Sequence, residues 1–244
     1  MNHRIKDLKR IARGNLYRNY SILIRVSIWI SLIITLIETP FSMLQTGEQF
    51  SPSNIIYYIA SLIINLLAII LVCGQHKMHL SLARSGQIDI KDFWAPLRNQ
   101  PDRYIIANFL LFGFELLALL PVAGGCAILY FNTPSGIWIV AAILILLGAL
   151  LSYLVTLNFS FVFYVLLDHE ELSIIEAFRY TYKMMRSHKR RLFYLDLSFI
   201  GMYFLGILSM GIGLFWIEPY ISQTTVLLYL NIQGELESTV NYYA

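Results

Sequence analysis

The chain has 244 residues, of which 57% are hydrophobic and 14% are charged, and its formal net charge is +3. Soluble globular proteins carry about 25% charged residues. This composition therefore excludes a soluble globular protein, because too few polar side chains are present to cover a surface in water. The small net charge also excludes the strongly basic surface of a nucleic-acid-binding protein. We therefore expect a membrane protein with no nucleic-acid partner.

Six apolar stretches follow one another, each close to or longer than the roughly 20 residues that cross a bilayer as a helix. We predict spans over about 21–38, 54–74, 104–131, 136–167, 192–210 and 213–232. The last two could instead be one span and an interfacial piece, but Gly211 and Gly213 favour a tight turn between two spans. The predicted fold is all-α and polytopic, with residues 1–244 forming a single membrane domain.

The basic residues divide the chain into two sides. Apart from Arg25, all of the 18 Lys and Arg residues lie in segments 1–20, 75–103 and 168–191. The loops on the other side, 39–53, 132–135 and a turn near residue 211, contain none. Because positively charged loops are retained in the cytoplasm, we predict a cytoplasmic N-terminus and cytoplasmic basic segments.

Two of the basic segments have the pattern of amphipathic helices. In 168–191, Ser173 and Glu176 form the sequence of a capping box, and a basic stripe at helical spacing follows. The stripe consists of Arg179, Lys183, Arg186 and Arg190. In 1–20, apolar residues at helical spacing (Leu8, Ala12 and Leu16) lie among basic ones. Such helices suit an anionic lipid headgroup layer or an acidic protein partner. They could equally serve only for anchoring and orientation.

The third predicted span carries an acid far from either end. Glu115 lies mid-span, and Asn108 shares its helix face at i, i+7. An ionisable residue at this depth usually has a partner or a function. Asn158 in the fourth span is a candidate partner, and Glu115 could simply be protonated or hydrogen-bonded to it. Pro121 and the glycines at 124–125 predict a kink or break in the same span.

The last predicted span is the most polar one. Glu218 precedes Pro219, which removes a backbone donor, and Tyr220 follows. A broken, polar helix at membrane depth must face protein or water. We therefore select Glu115, Asn158, Glu218 and Tyr220 as candidates for an intramembrane binding site. Glu218 could instead lie near the outer interface and simply be hydrated.

The sequence lacks the motifs of soluble catalysis. It contains no Gly-rich phosphate loop, metalloprotease, serine-hydrolase or paired-cysteine motif. His76 and His79 are three residues apart, but two histidines without a nearby third ligand are weak evidence for a metal. We expect no enzyme activity, no catalytic residue, no metal and no cofactor.

The C-terminal part of the chain contains five segments with a recognisable pattern, 177–185, 189–193, 197–201, 211–213 and 219–220. In these segments the chain resembles a bacterial family of integral membrane proteins, the one catalogued as domain of unknown function 975. Many members have Trp after the Phe-Ile-Gly of the third segment, whereas this chain has Met202. The resemblance implies a bacterial cytoplasmic-membrane protein and supplies no established activity.

Two functions follow as hypotheses. The first is a transport, export or immunity accessory protein with a polar intramembrane site. The second is a non-catalytic protein that organises the membrane or binds a partner through its basic cytoplasmic helices. Expected partners are membrane lipids with anionic headgroups and a protein partner in the membrane.

Overall fold

The computed structural model describes residues 4–45, 51–131 and 137–236, and these residues form helices, turns and loops without a strand. The helices are α1 (Ile5–Leu16), α2 (Tyr20–Ser42), α3 (Pro52–Ser85), α4 (Ile90–Arg98), α5 (Pro101–Tyr130), α6 (Trp138–Phe159), α7 (Val162–Asp168), α8 (Ile174–Met185), α9 (Lys189–Leu197), α10 (Ile200–Leu208) and α11 (Leu214–Gln233). The predicted all-α class is confirmed. The predicted loop 132–135 and residues 46–50 of the loop 39–53 lie outside the described residues.

Five helical segments are long and apolar enough to cross a membrane. They are Tyr20–Ser42, Pro52–Ser85, Pro101–Tyr130, Trp138–Asp168 and Lys189–Leu208. Between 11% and 22% of their most apolar windows is buried inside the protein. The remaining apolar surface faces outward, where only a hydrocarbon environment suits it. The fold is therefore that of a multi-pass membrane protein, and five of the six predicted spans correspond to such segments.

The sixth predicted span, 213–232, forms α11 but is not among these five segments. Polar residues lower the hydropathy of α11. Three of them, Gln223, Thr224 and Asn231, are buried within the protein. α11 packs against α1, α2, α3 and α10, so these polar side chains face protein and not lipid. The predicted turn before it is confirmed, since Gly211 has a φ of 86°, in the left-handed region that glycine tolerates.

The third span has no break at the predicted position, whereas two unpredicted breaks occur elsewhere. α5 continues through Pro121 without interruption. The fourth apolar segment is divided at 160–161 between α6 and α7, and the fifth at 198–199 between α9 and α10. At the second break, Lys9 Nζ donates to the carbonyl oxygen of Ser198 at 2.9 Å. A cation from α1 thus satisfies a carbonyl that the interrupted helix leaves open.

The apolar face of α1 is covered by protein. Leu8, Ala12 and Leu16 are fully buried, and α1 packs mainly on α11. Tyr220 of α11 donates its hydroxyl proton to the carbonyl oxygen of Lys9 at 3.4 Å. Burial, followed by the charge of Arg13, lowers the pKa of Lys9. The helix predicted over 1–20 is therefore a packed part of the bundle.

The basic segment 168–191 contains α8 and the start of α9. The predicted capping box is confirmed: Ser173 Oγ accepts from the Glu176 backbone N–H, and Glu176 accepts from the Ser173 backbone N–H. The hydrogen bonds from the Ser173 side chain and backbone lower the pKa of Glu176. Phe178 and Met185 are buried, because α8 packs on α6 and α7. One face of this helix is thereby committed to the protein.

The ends of three helices are joined by a polar network around Arg84 of α3. Its guanidinium donates to both carboxylate oxygens of Asp168, at 2.8 and 2.9 Å, and to Glu235 Oε2 at 2.9 Å. Tyr229 of α11 donates to Asp168 Oδ2 at 2.9 Å. The network fixes the ends of α3, α7 and α11 to one another.

Candidate functional site

A cavity of about 410 Å³ opens between α3, α5, α6 and α7. It is lined by Leu62, Asn65, Leu66, Asn108, Leu111, Phe112, Glu115, Val155, Thr156, Phe159, Ser160 and Phe163. Its volume lies in the range of small-molecule sites, about 300–1,000 Å³. Mostly apolar walls with a few converging polar groups are also typical of such sites.

Glu115 is the acid of this cavity, and α6 supplies its hydrogen-bond partners. Ser152 Oγ donates to Glu115 Oε2 at 2.7 Å, and Thr156 Oγ1 lies 3.3 Å from Oε1. Ser152 and Thr156 are four residues apart, so they lie on one face of α6. No Lys, Arg or His of the described ranges forms an ion pair with Glu115. Its two oxygens thus have hydroxyl partners, while its negative charge has no protein counter-ion there.

Small residues bring Glu115 and Ser152 together. A Cβ added to Gly148 of α6 would lie 2.5 Å from Val122 Cγ2 and 2.9 Å from Val122 N on α5. A Cβ added to Gly125 of α5 would lie 2.8 Å from the carbonyl oxygen of residue 141 on α6. Such close backbone approach is how helices associate in membranes. Ser152 is one turn from Gly148, so this contact sets the position of its hydroxyl against Glu115.

A second acid, Glu38, is hydrogen-bonded to Asn65 of the cavity wall, and the sequence interpretation missed it. Asn65 Nδ2 donates to Glu38 Oε1 at 3.1 Å, and Ser61 Oγ donates to the same oxygen at 3.4 Å. Glu38 lies at the predicted end of the first span, where a charged side chain is expected because it can be hydrated. The i, i+4 spacing of Ser61 and Asn65 in the second span is the signal that could have found it.

Further polar residues line the cavity. Asn108 lines it together with Glu115, as their i, i+7 spacing predicts. Ser160 Oγ is buried and has no hydrogen-bond partner among the described residues. With Asn65 and Thr156, these groups supply both donors and acceptors around one carboxyl group.

The other predicted site residues lie elsewhere. Asn158 donates to the carbonyl oxygen of Leu154 in its own helix, at 2.6 Å, rather than to Glu115. Tyr220 donates to the backbone of α1 and is not among the residues that line the cavity. Glu218 is exposed on α11. The structure therefore places Glu115 in one environment and the polar residues of α11 in another.

The predicted basic stripe is exposed along its whole length. Arg179, Lys183, Arg186 and Arg190 all face outward from α8 and the start of α9. Arg179 also borders an apolar groove of about 320 Å³ that is lined in addition by aromatic residues of α8. The stripe is thus available to a partner, while the opposite face of α8 packs on the protein.

The histidines are engaged inside the bundle. His79 Nδ1 lies 2.8 Å from Gln223 Oε1, and His76 Nδ1 lies 3.2 Å from the hydroxyl of Tyr164. Within the described ranges, no group of three or more His, Cys, Asp or Glu side chains could hold a metal ion. His79 therefore links α3 to α11, and His76 links α3 to α7.

An all-helical bundle with five long apolar segments defines a multi-pass membrane protein. A family model described as "Protein of unknown function (DUF975)" matches residues 1–235, and the chain belongs to that family. No curated protein and no solved structure matches the chain.

Proposed function

We propose that the protein binds an organic cation inside its helix bundle, as a transport, export or immunity accessory protein, and that it catalyses no covalent reaction. The observation that supports this most is Glu115, a carboxyl group at an open cavity with hydroxyl partners but no counter-ion among the described residues. A cation would supply the missing positive charge.

The walls of the cavity favour an organic cation over a bare metal ion. Phe112, Phe159 and Phe163 contribute aromatic surface, and the faces of aromatic rings attract cations. A hard metal ion such as calcium takes about six to eight oxygen ligands, whereas this cavity is mainly apolar. An amphipathic cation can place its charge at Glu115 and its apolar part against the rings.

Tetraphenylphosphonium is a suitable probe, measured by equilibrium dialysis against the protein in phosphatidylcholine nanodiscs. Glu115→Gln should weaken binding at least tenfold, since it removes the charge that a desolvated cation would face. Glu218→Gln is the matched control, because Glu218 is exposed on α11. Equal binding by Glu115→Gln and the parent, with both eluting as folded protein, would refute the site.

We also propose that the protein lies in a bacterial cytoplasmic membrane with its N-terminus inside. The segregation of Lys and Arg supports the orientation.

A second function, binding of an acidic protein partner at the cytoplasmic face, is supported by the exposed stripe of α8 and α9.

A single cysteine, Lys183→Cys in a chain that also carries Cys126→Ser, tests both the proposed orientation and the proposed partner interface. The cysteine should react with a membrane-impermeant maleimide only after cells are permeabilised, and a photocrosslinker on it should capture the partner. Changing Arg179, Arg186 and Arg190 to Gln should reduce capture at least fivefold. Labelling of intact cells would contradict the orientation, and unchanged capture would contradict the charged interface.

A further inference from the structure

A second, separate groove lies between α2 and α4. It has a volume of about 430 Å³, and its walls include Val26, Trp29, Ile33, Phe93 and Trp94. Among the residues of the described ranges that line this groove, Arg25 is the one basic residue. An apolar groove with a single cationic end has the polarity of a lipid, whose charged headgroup and apolar chains are separated in the same way.

Arg25 is free to receive an anion. Its Nε donates to the carbonyl oxygen of Ser21 at 3.1 Å, which leaves the two terminal nitrogens of the guanidinium. Within the described ranges it forms no ion pair, and its side chain is exposed. A guanidinium fork matches the geometry of a phosphate group.

The apolar wall extends from Arg25 in one direction along α2. Arg25, Trp29 and Ile33 are spaced at i, i+4 and i+8, so they lie on one face of the helix. Eight residues of helix span about 12 Å, a length that accommodates part of an acyl chain. Trp29 is 64% exposed and Trp94 is 41% exposed, so neither ring is covered by protein.

The other wall is held in place by contact with α3. A Cβ added to Gly74 of α3 would overlap the carbonyl oxygen of Phe93, so α4 rests directly on the α3 backbone. α4 is short and amphipathic, with Trp94 on its outward side. Tryptophan prefers the interface between headgroups and chains, which is where a lipid would pass from Arg25 into the groove.

We infer that this groove holds a phospholipid with an anionic headgroup. The phosphate lies on Arg25, and one acyl chain runs along Trp29 and Ile33 towards the membrane interior. The charge of Arg25 and the direction of the apolar wall set the orientation of this lipid. The inference is independent of the cation proposed at Glu115, which lies in a different cavity.

Quenching of tryptophan by brominated lipids tests it. A chain with Trp138→Phe and Trp216→Phe reports only on Trp29 and Trp94. In phosphatidylcholine vesicles with increasing fractions of brominated phosphatidylglycerol, quenching should show at least a fivefold preference over brominated phosphatidylcholine. Glycerol 3-phosphate should not abolish this preference, because the groove also binds the chain. If glycerol 3-phosphate abolishes the quenching preference, the groove binds a free phosphate compound and the inference of a bound lipid is wrong.

Variants at Arg25 separate the groove from general surface charge. Arg25→Gln should reduce the preference to about one, while Arg25→Lys should retain most of it. Arg18→Gln is the matched control, because Arg18 is also exposed but lies outside the groove. Equal quenching by the two lipids in the parent, or an unchanged preference in Arg25→Gln, would overturn the inference.

Discussion

Gly125→Ala should destabilise the protein by about 1–3 kcal/mol, the range found when atoms are forced into a well-packed interior. The added Cβ would lie 2.8 Å from both the carbonyl oxygen of Ala141 and Ile145 Cγ1, so α5 and α6 must separate. Because this contact positions Glu115 against Ser152, binding of tetraphenylphosphonium should weaken as well. The measurement is unfolding of the purified protein in mixed micelles with increasing denaturing detergent.

Gly124→Ala is the control for this prediction. A Cβ at Gly124 would meet only Leu144 Cδ1, at 3.8 Å, which is an ordinary contact. Replacing glycine by alanine inside a helix then adds about 0.5–1 kcal/mol of stability. If the two variants have equal stability, the close contact between α5 and α6 does not exist as described.

Asp168→Asn should destabilise the protein by about 3 kcal/mol, the lower end of the range for breaking a buried ion pair. The Asp168 side chain is 9% exposed and that of Arg84 is 33% exposed, so water screens the pair only in part. The change removes one of the two carboxylates that Arg84 faces, the other being Glu235, and weakens the acceptor of the Tyr229 hydroxyl. Unfolding in the same mixed micelles measures the effect.

A double-mutant cycle isolates this pair from its surroundings. Arg84→Gln combined with Asp168→Asn should be clearly more stable than the sum of the two single effects predicts, because either change alone already breaks the interaction between the two residues. Tyr229→Phe, which removes the hydrogen bond to Asp168 and the one from Gln233, should cost about 1–3 kcal/mol. Strict additivity of the Arg84 and Asp168 changes would show that the pair does not hold α3 to α7.

Features that depend on local sequence could be predicted. Apolar runs and the positions of charged residues locate the spans, since bilayer thickness sets their length. The capping box at Ser173 needs only a residue three positions away, and the turn at Gly211 needs only a glycine. These features do not depend on which helix packs against which.

Features that depend on helix pairing could not be predicted. The sequence shows that α1 is amphipathic, but only the fold shows that Leu8 and Leu16 pack on α11 instead of lipid. Glu115 stands out in the sequence as unusual, yet its partners on α6 follow from the register set by Gly148. Glu38 contacts Asn65 of the cavity wall only because α2 pairs with α3.

Labelling with a hydrophobic carbodiimide tests the central claim, a ligand-accessible acid inside the bundle, most directly. Such reagents modify carboxyl groups that they can reach from apolar surroundings, and peptide mass spectrometry identifies the site. We predict modification of Glu115, slowed severalfold by excess tetraphenylphosphonium. Absence of modification at Glu115, or a rate that the cation leaves unchanged, would contradict the account.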